Sequence, residues 1–168
     1  MRMAIFSIGF LIAYGLVEGQ APSTRNGSPD SLIASIDRLL QNPSVTSSVW
    51  MALLDSAEAR SDVSLTLSAN LLPWLCHLDN AAPERRTFAS VMLGAFVAGN
   101  MREQLRSGKK MDSPVQGLKA VLSVYGMLRN RSPEFTDRTL DEWSVLEKNK
   151  RLSSLVDSLV LQPEQKCG

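Results

Sequence analysis

From Phe88 to Met101 the chain reads FASVMLGAFVAGNM, with almost no polar side chain. A helix apolar on most of its sides has to be enclosed by other elements. This run therefore constrains the whole fold. Ser90, Gly94 and Ala98 recur at i, i+4, with Ala95 and Gly99 beside them. They predict a stripe of small residues against which another helix approaches closely. Phe88, Met92 and Phe96 form a bulky stripe next to it. A membrane span is the rival reading, because small residues at this spacing also occur there. The run falls short of the roughly 20 residues a span needs, and Arg85, Arg86 and Arg102 bracket it closely. The expectation is an all-α, single-domain bundle of about six or seven helices. Its central apolar helix covers about 84–107, opened by Pro83 and ended by Gly108.

The flanking segments carry helix signals. Ser28-Pro29 offers an N-cap and a proline at the first helical position. Leu32, Ile33, Ile36, Leu39 and Leu40 then form one stripe, and Asn42-Pro43 stops it. A second helix is predicted over about 45–59, with Val49, Ala52, Leu53 and Ala57 inward. Ser61-Asp62 caps a third. There Val63, Leu65 and Leu67 alternate with polar residues, so 62–70 reads as either helix or short strand. Pro73 kinks or restarts that element. Ser113-Pro114 opens an amphipathic helix with Val115, Leu118, Val121, Leu122, Tyr125 and Leu128 inward. Thr139-Leu140-Asp141-Glu142 has the spacing of a capping box. Leu152, Leu155, Val156 and Leu159 give the last helical face.

The N-terminus implies a compartment. Met1-Arg2-Met3 is short and basic, and an uncharged apolar run of about 14 residues, Ala4 to Val17, follows. Val17-Glu18-Gly19 then places small residues where a signal peptidase reads, which is the layout of a secretory signal peptide. The predicted organisation is a cleavable signal peptide over 1–19, a flexible lead-in over 20–27, a helical domain over 28–161 and a polar tail over 162–168. Secretion or a periplasmic location is the corresponding expectation, with no membrane span left after cleavage.

Export bears on the two cysteines, Cys76 and Cys167. In an oxidising compartment they are natural partners. On the chain-entropy account a loop of this length contributes up to about 4–5 kcal/mol. The competing use of Cys76 lies in the stretch LPWLCHLD, where it adjoins the single histidine, His77, and Asp79. A nucleophilic thiolate needs an imidazole within hydrogen-bond reach, and adjacent residues on a helix point about 100° apart. No second histidine exists to serve from another segment, and three near neighbours do not converge on a zinc ion. The sequence therefore predicts no catalytic residue, no metal site and no cofactor.

A net charge of +1 gives no broad electrostatic footprint for nucleic acid. Locally, Arg102 and Arg106 lie one turn apart with Lys109 and Lys110 beyond, a candidate patch for an anionic partner. Helix capping and the helix dipole account for the same residues. A second basic group comprises Arg129, Arg131, Lys148, Lys150 and Arg151. The helical, cysteine-bearing layout of the last half resembles small exported bacterial immunity proteins, without a shared motif. That resemblance implies an inhibitor or toxin-immunity role. The primary expectation is an exported helical protein that works by binding an unidentified protein partner, more an interaction module than an enzyme. A thiol-dependent envelope enzyme or redox protein using Cys76 is the further alternative.

Overall fold

The structure is a computed structural model, and it describes residues 28–76, 78, 81–131 and 135–163. The readings placed on 1–27, on His77 and Asp79, and on the tail beyond 163 lie outside the described residues. Among the described residues the regular elements are all helical, and no strand occurs. In chain order they are α1 (Pro29–Gln41), α2 (Ser47–Glu58), a 3-10 turn (Pro73–Leu75), α3 (Pro83–Ser107), α4 (Pro114–Arg131), α5 (Arg138–Lys148) and α6 (Leu152–Leu161). No helix among these is long and apolar enough to cross a membrane.

The apolar run becomes the centre of the bundle, as its composition requires. α3 packs most extensively on α4, then on α2 and α1. Phe88, Met92, Phe96 and Met101 are all buried along it. Removing each such side chain from water stabilises the fold by about 1.5–3 kcal/mol. The small residues serve two neighbours. At Gly94 an added Cβ would stand 3.0 Å from Cα of Trp50, so α2 crosses there. At Gly99 it would stand 2.5 Å from Cβ of Ala120, so α4 crosses there. Five residues separate the two glycines, which turns them about 140° apart on a helix. α4 returns the fit, because a Cβ at its Gly117 would lie 2.7 Å from the Phe96 ring. Gly108 ends α3 in the left-handed conformation, φ 65°, where glycine carries no Cβ penalty.

The first helix begins as its sequence directs. Ser28 is the N-cap, its hydroxyl accepting from the Ser31 N–H, and Pro29 opens the first turn. Two expectations about helix faces and caps are corrected. In α2 the buried residues are Trp50, Leu53 and Ala57, while Val49 and Ala52 face outward. The inward stripe is thus set by the largest side chain available, and the Trp50 Nε1–H donates to the Ser44 carbonyl at 2.7 Å. The N-cap of α5 is Asp137, whose side chain accepts from the Leu140 N–H. Thr139 lies inside the helix, and Glu142 pairs with Arg138 on the surface instead.

Residues 62–70 are neither helix nor strand. Val63 is buried, and the Ser64 backbone is bonded by one side chain of α3. Gln104 Oε1 accepts from the Ser64 N–H at 2.9 Å, and Gln104 Nε2 donates to the Ser64 carbonyl at 2.7 Å. An amide side chain thus replaces the neighbouring strand that the alternating pattern suggested. Pro73 restarts the chain as a single 3-10 turn, and Cys76 leaves that turn with extended backbone, φ −72° and ψ 147°. The helical geometry assumed for LPWLCHLD is not adopted up to Cys76.

Candidate functional site

A groove of about 590 Å3 lies between the N-terminal turn of α4, the second half of α6 and one side chain of α3. Its walls are built locally. Asn100 and Gln104 are the two polar residues buried in α3, and together they pin the loop that precedes α4. Asn100 Oδ1 accepts from the Ser113 N–H at 3.0 Å and from Gln104 Nε2 at 2.7 Å. Asn100 Nδ2 donates to Asp112 Oδ1. The other carboxylate oxygen of Asp112 accepts from the Thr66 N–H at 3.1 Å. Buried polar groups need such partners, and this chain of bonds fixes both Asp112 and the start of α4.

The apolar surface of the groove comes from Val115, Val156, Val160 and Leu161. Leu152 and Val156 form the buried stripe of α6, and Val160 and Leu161 lie off that stripe, 57% and 85% exposed. Met111 precedes Asp112, and Leu67 follows Thr66; both are exposed. Of the seven large hydrophobic residues exposed in the described structure, Val160 and Leu161 line this groove. Apolar surface collected in one place marks an interaction site more often than scattered single residues do.

The polar edge is acidic. Glu103, Asp112 and Asp157 line the groove, and none of the three enters an ion pair among the described residues. The donors that Asp112 does have are neutral amides, so its charge is not cancelled by them.

None of the four cations singled out in the sequence lines the groove. Arg102 Nη1 and Arg106 Nη2 both bind the carboxylate of Asp37 on α1, Arg102 at 3.2 Å. Lys110 Nζ donates to the Ser61 carbonyl at 2.6 Å. Lys109 stands exposed past the turn at Gly108. Successive turns of α3 thus give Glu103 to the groove and Arg102 and Arg106 to α1. In the second basic group, Arg129 pairs with Asp141, and Arg131 approaches Asn42 Oδ1 at 3.5 Å.

No free cysteine occurs among the described residues. Near Cys76 the chain is held by Asn70, which is only 5% exposed. Its Nδ2 faces the carbonyls of Leu159, Gln162 and Pro163 at 3.2, 3.3 and 3.2 Å. The end of α6 and the start of the tail are thereby clamped beside the 3-10 turn.

A second polar cluster joins α4 to α5. The Tyr125 hydroxyl donates to Asp141 Oδ1 at 2.8 Å and accepts from the Asp137 N–H at 3.0 Å. Arg85 reaches Asp137 at 3.0 Å and lies over the Phe88 ring. Burial pushes the Tyr125 phenol above its ordinary pKa. Every group in this cluster has a partner within the protein, so it reads as a joint between helices. No three His, Cys, Asp or Glu side chains gather as a metal site among the described residues.

The groove residues Glu103, Asp157, Val160 and Leu161 were not anticipated from the sequence. One signal was available. The segment LSSLVDSLVL carries more apolar residues than a single buried stripe uses, so part of it had to remain exposed or find a partner. No protein-family model, no curated protein and no solved structure matches this chain.

Proposed function

We propose that the protein is an exported helical binding module that holds a protein partner in the groove between α4 and α6. The observation that carries this reading is that Val160 and Leu161, both exposed, line a groove whose three carboxylates form no ion pair among the described residues. An interface core of this kind is apolar with a polar rim. The rigid polar network beneath it suits binding, because a preorganised surface loses little freedom on association.

Export is supported by the basic, apolar and small-residue order of residues 1–19. A Cys76–Cys167 disulfide belongs to the same reading. It is supported by the absence of a free cysteine among the described residues and by the Asn70 clamp. The clamp holds Pro163, and Cys167 follows four residues later, within at most about 14 Å of extended chain. Such a bridge would lock α6, and with it one wall of the groove, to the body of the bundle.

Two measurements test the reading. Random linear peptides displayed on phage and selected on the immobilised protein should enrich sequences that no longer bind the Val160→Arg variant. A selection without enrichment, or peptides that bind both forms equally, would remove the groove as the binding site. Intact mass of the exported fraction, taken before and after thiol alkylation without reductant, should show loss of residues 1–19 and no alkylation. Retention of 1–19 would rule out the export reading, and alkylated cysteines would rule out the bridge.

A further inference from the structure

The chemistry of the groove also selects its occupant, and this step rests on the binding reading above. Glu103, Asp112 and Asp157 line the same groove as Val115, Val156, Val160 and Leu161. The N-terminal end of α4 brings about half a positive charge to the same place. Three carboxylates outweigh it. Of the basic side chains nearest along the chain, Arg102 and Arg106 are paired with Asp37, Lys110 turns its ammonium to the Ser61 carbonyl, and neither Lys109 nor Lys110 forms an ion pair with a groove carboxylate among the described residues. A small apolar patch with carboxylates beside it is complementary to one apolar face of a helix flanked by lysine or arginine. It repels phosphate backbones and anionic lipid surfaces.

We infer that the groove binds a cationic amphipathic helix of a partner protein. The apolar face of that helix lies on Val115, Val160 and Leu161, and its flanking cations meet Glu103 and Asp157. A second copy of this chain fits less well. The exposed cations Lys148, Lys150 and Arg151 sit at the opposite end of α6 from Val160 and Leu161. Pairing them with the groove is therefore head-to-tail, and such contacts run on into open filaments unless the rotation closes.

The test uses two synthetic amphipathic peptides of about four helical turns, one built from leucine and lysine, the other from leucine and glutamate. Binding to the oxidised protein is followed by fluorescence anisotropy at low and high salt. The lysine peptide should bind, at least about tenfold more tightly than the glutamate peptide at low salt, and weaken as salt screens the rim. Glu103→Gln with Asp157→Asn should weaken it by about tenfold, as expected for the loss of two partly exposed charge contacts. Val160→Asp should also abolish binding although it adds negative charge, because it destroys the apolar seat. Circular dichroism confirms that each variant is folded.

Tighter binding of the lysine peptide to Val160→Asp would reduce the interaction to charge attraction and overturn the proposal. Equal binding of both peptides would overturn the charge selection and leave the groove reading standing. Binding of neither peptide would overturn the cationic-helix occupant, while the display selection judges the groove separately. Concentration-dependent self-association abolished by Val160→Asp would replace the partner helix with a second copy.

Discussion

At positions 94 and 126 the same substitution has opposite consequences. A methyl at Gly94 would enter contact with Cβ of Trp50 and stand 3.0 Å from its Cα. That neighbour is backbone, so it can yield only if α2 moves. Overpacking of this kind costs about 1–3 kcal/mol. Gly126 lies in the exposed middle of α4 with nothing within 4 Å of an added Cβ. Alanine there relieves backbone entropy and should gain about 0.5–1 kcal/mol. Denaturant midpoints of Gly94→Ala and Gly126→Ala should therefore move in opposite directions, and a common direction would refute the close approach of α2 to α3. Tyr125 gives a pH-dependent case. Burial raises its phenol above the ordinary 10.0, so the folded protein holds that proton more tightly than the unfolded chain does. Its contribution is fully present below pH 10 and is lost as pH rises past the folded value. Tyr125→Phe leaves the Asp137 N–H without its acceptor and should cost about 1–3 kcal/mol at neutral pH. The gap between wild type and variant, read from denaturant curves, should narrow above pH 10; a constant gap would contradict this account.

At the scale of the element, the segment 62–70 depends on one residue of α3. Gln104→Leu keeps similar bulk but strips both hydrogen bonds from Ser64. A buried donor left unpaired costs about 1–3 kcal/mol. The loss should show locally first, as faster amide exchange at Ser64 with the α3 core still protected. Unchanged exchange at Ser64 would mean that the glutamine does not hold this segment. The same pairing explains what the sequence could disclose. Alternation at Val63, Leu65 and Leu67 reports an extended backbone half in contact with the core, but the partner is a side chain 40 positions away. Helix α3 was legible because its composition alone demands enclosure, and α1 because Ser28-Pro29 acts within one turn. The start of α5 was misread for a tertiary reason. Thr139 and Glu142 satisfy a capping spacing, yet Asp137 is held by Tyr125 and by Arg85, 52 residues back. The face of α2 was a choice between two overlapping stripes, decided by the volume of Trp50. The groove was the least legible feature. Its walls come from three helices, and only the apolar excess of α6 hinted at it.

Across the whole molecule the C-terminal helix is the last element to be secured, and its fastening decides whether the groove persists. Leu152 and Val156 bury one face of α6, the Asn70 amide gathers three carbonyls at its end, and the proposed Cys76–Cys167 bridge would tie the chain beyond. The clamp and the bridge act on the same few residues, so their contributions should not add. A covalent tether raises the effective concentration of the tail at Asn70, and the amide then holds a tail that is always near. Without the tether the tail spends part of its time detached, and losing the amide matters less. Asn70→Ala should therefore cost more in the oxidised wild-type background than in Cys167→Ser. The shortfall in a double-mutant cycle should exceed the roughly 0.3–0.5 kcal/mol seen for independent sites. Amide exchange near Leu159 should rise in the same order, least in the wild type and most in the double variant. Strict additivity would mean that the two fastenings do not share the tail. The bridge would then leave α6 and the groove wall it forms to the Asn70 clamp and to Leu152 and Val156.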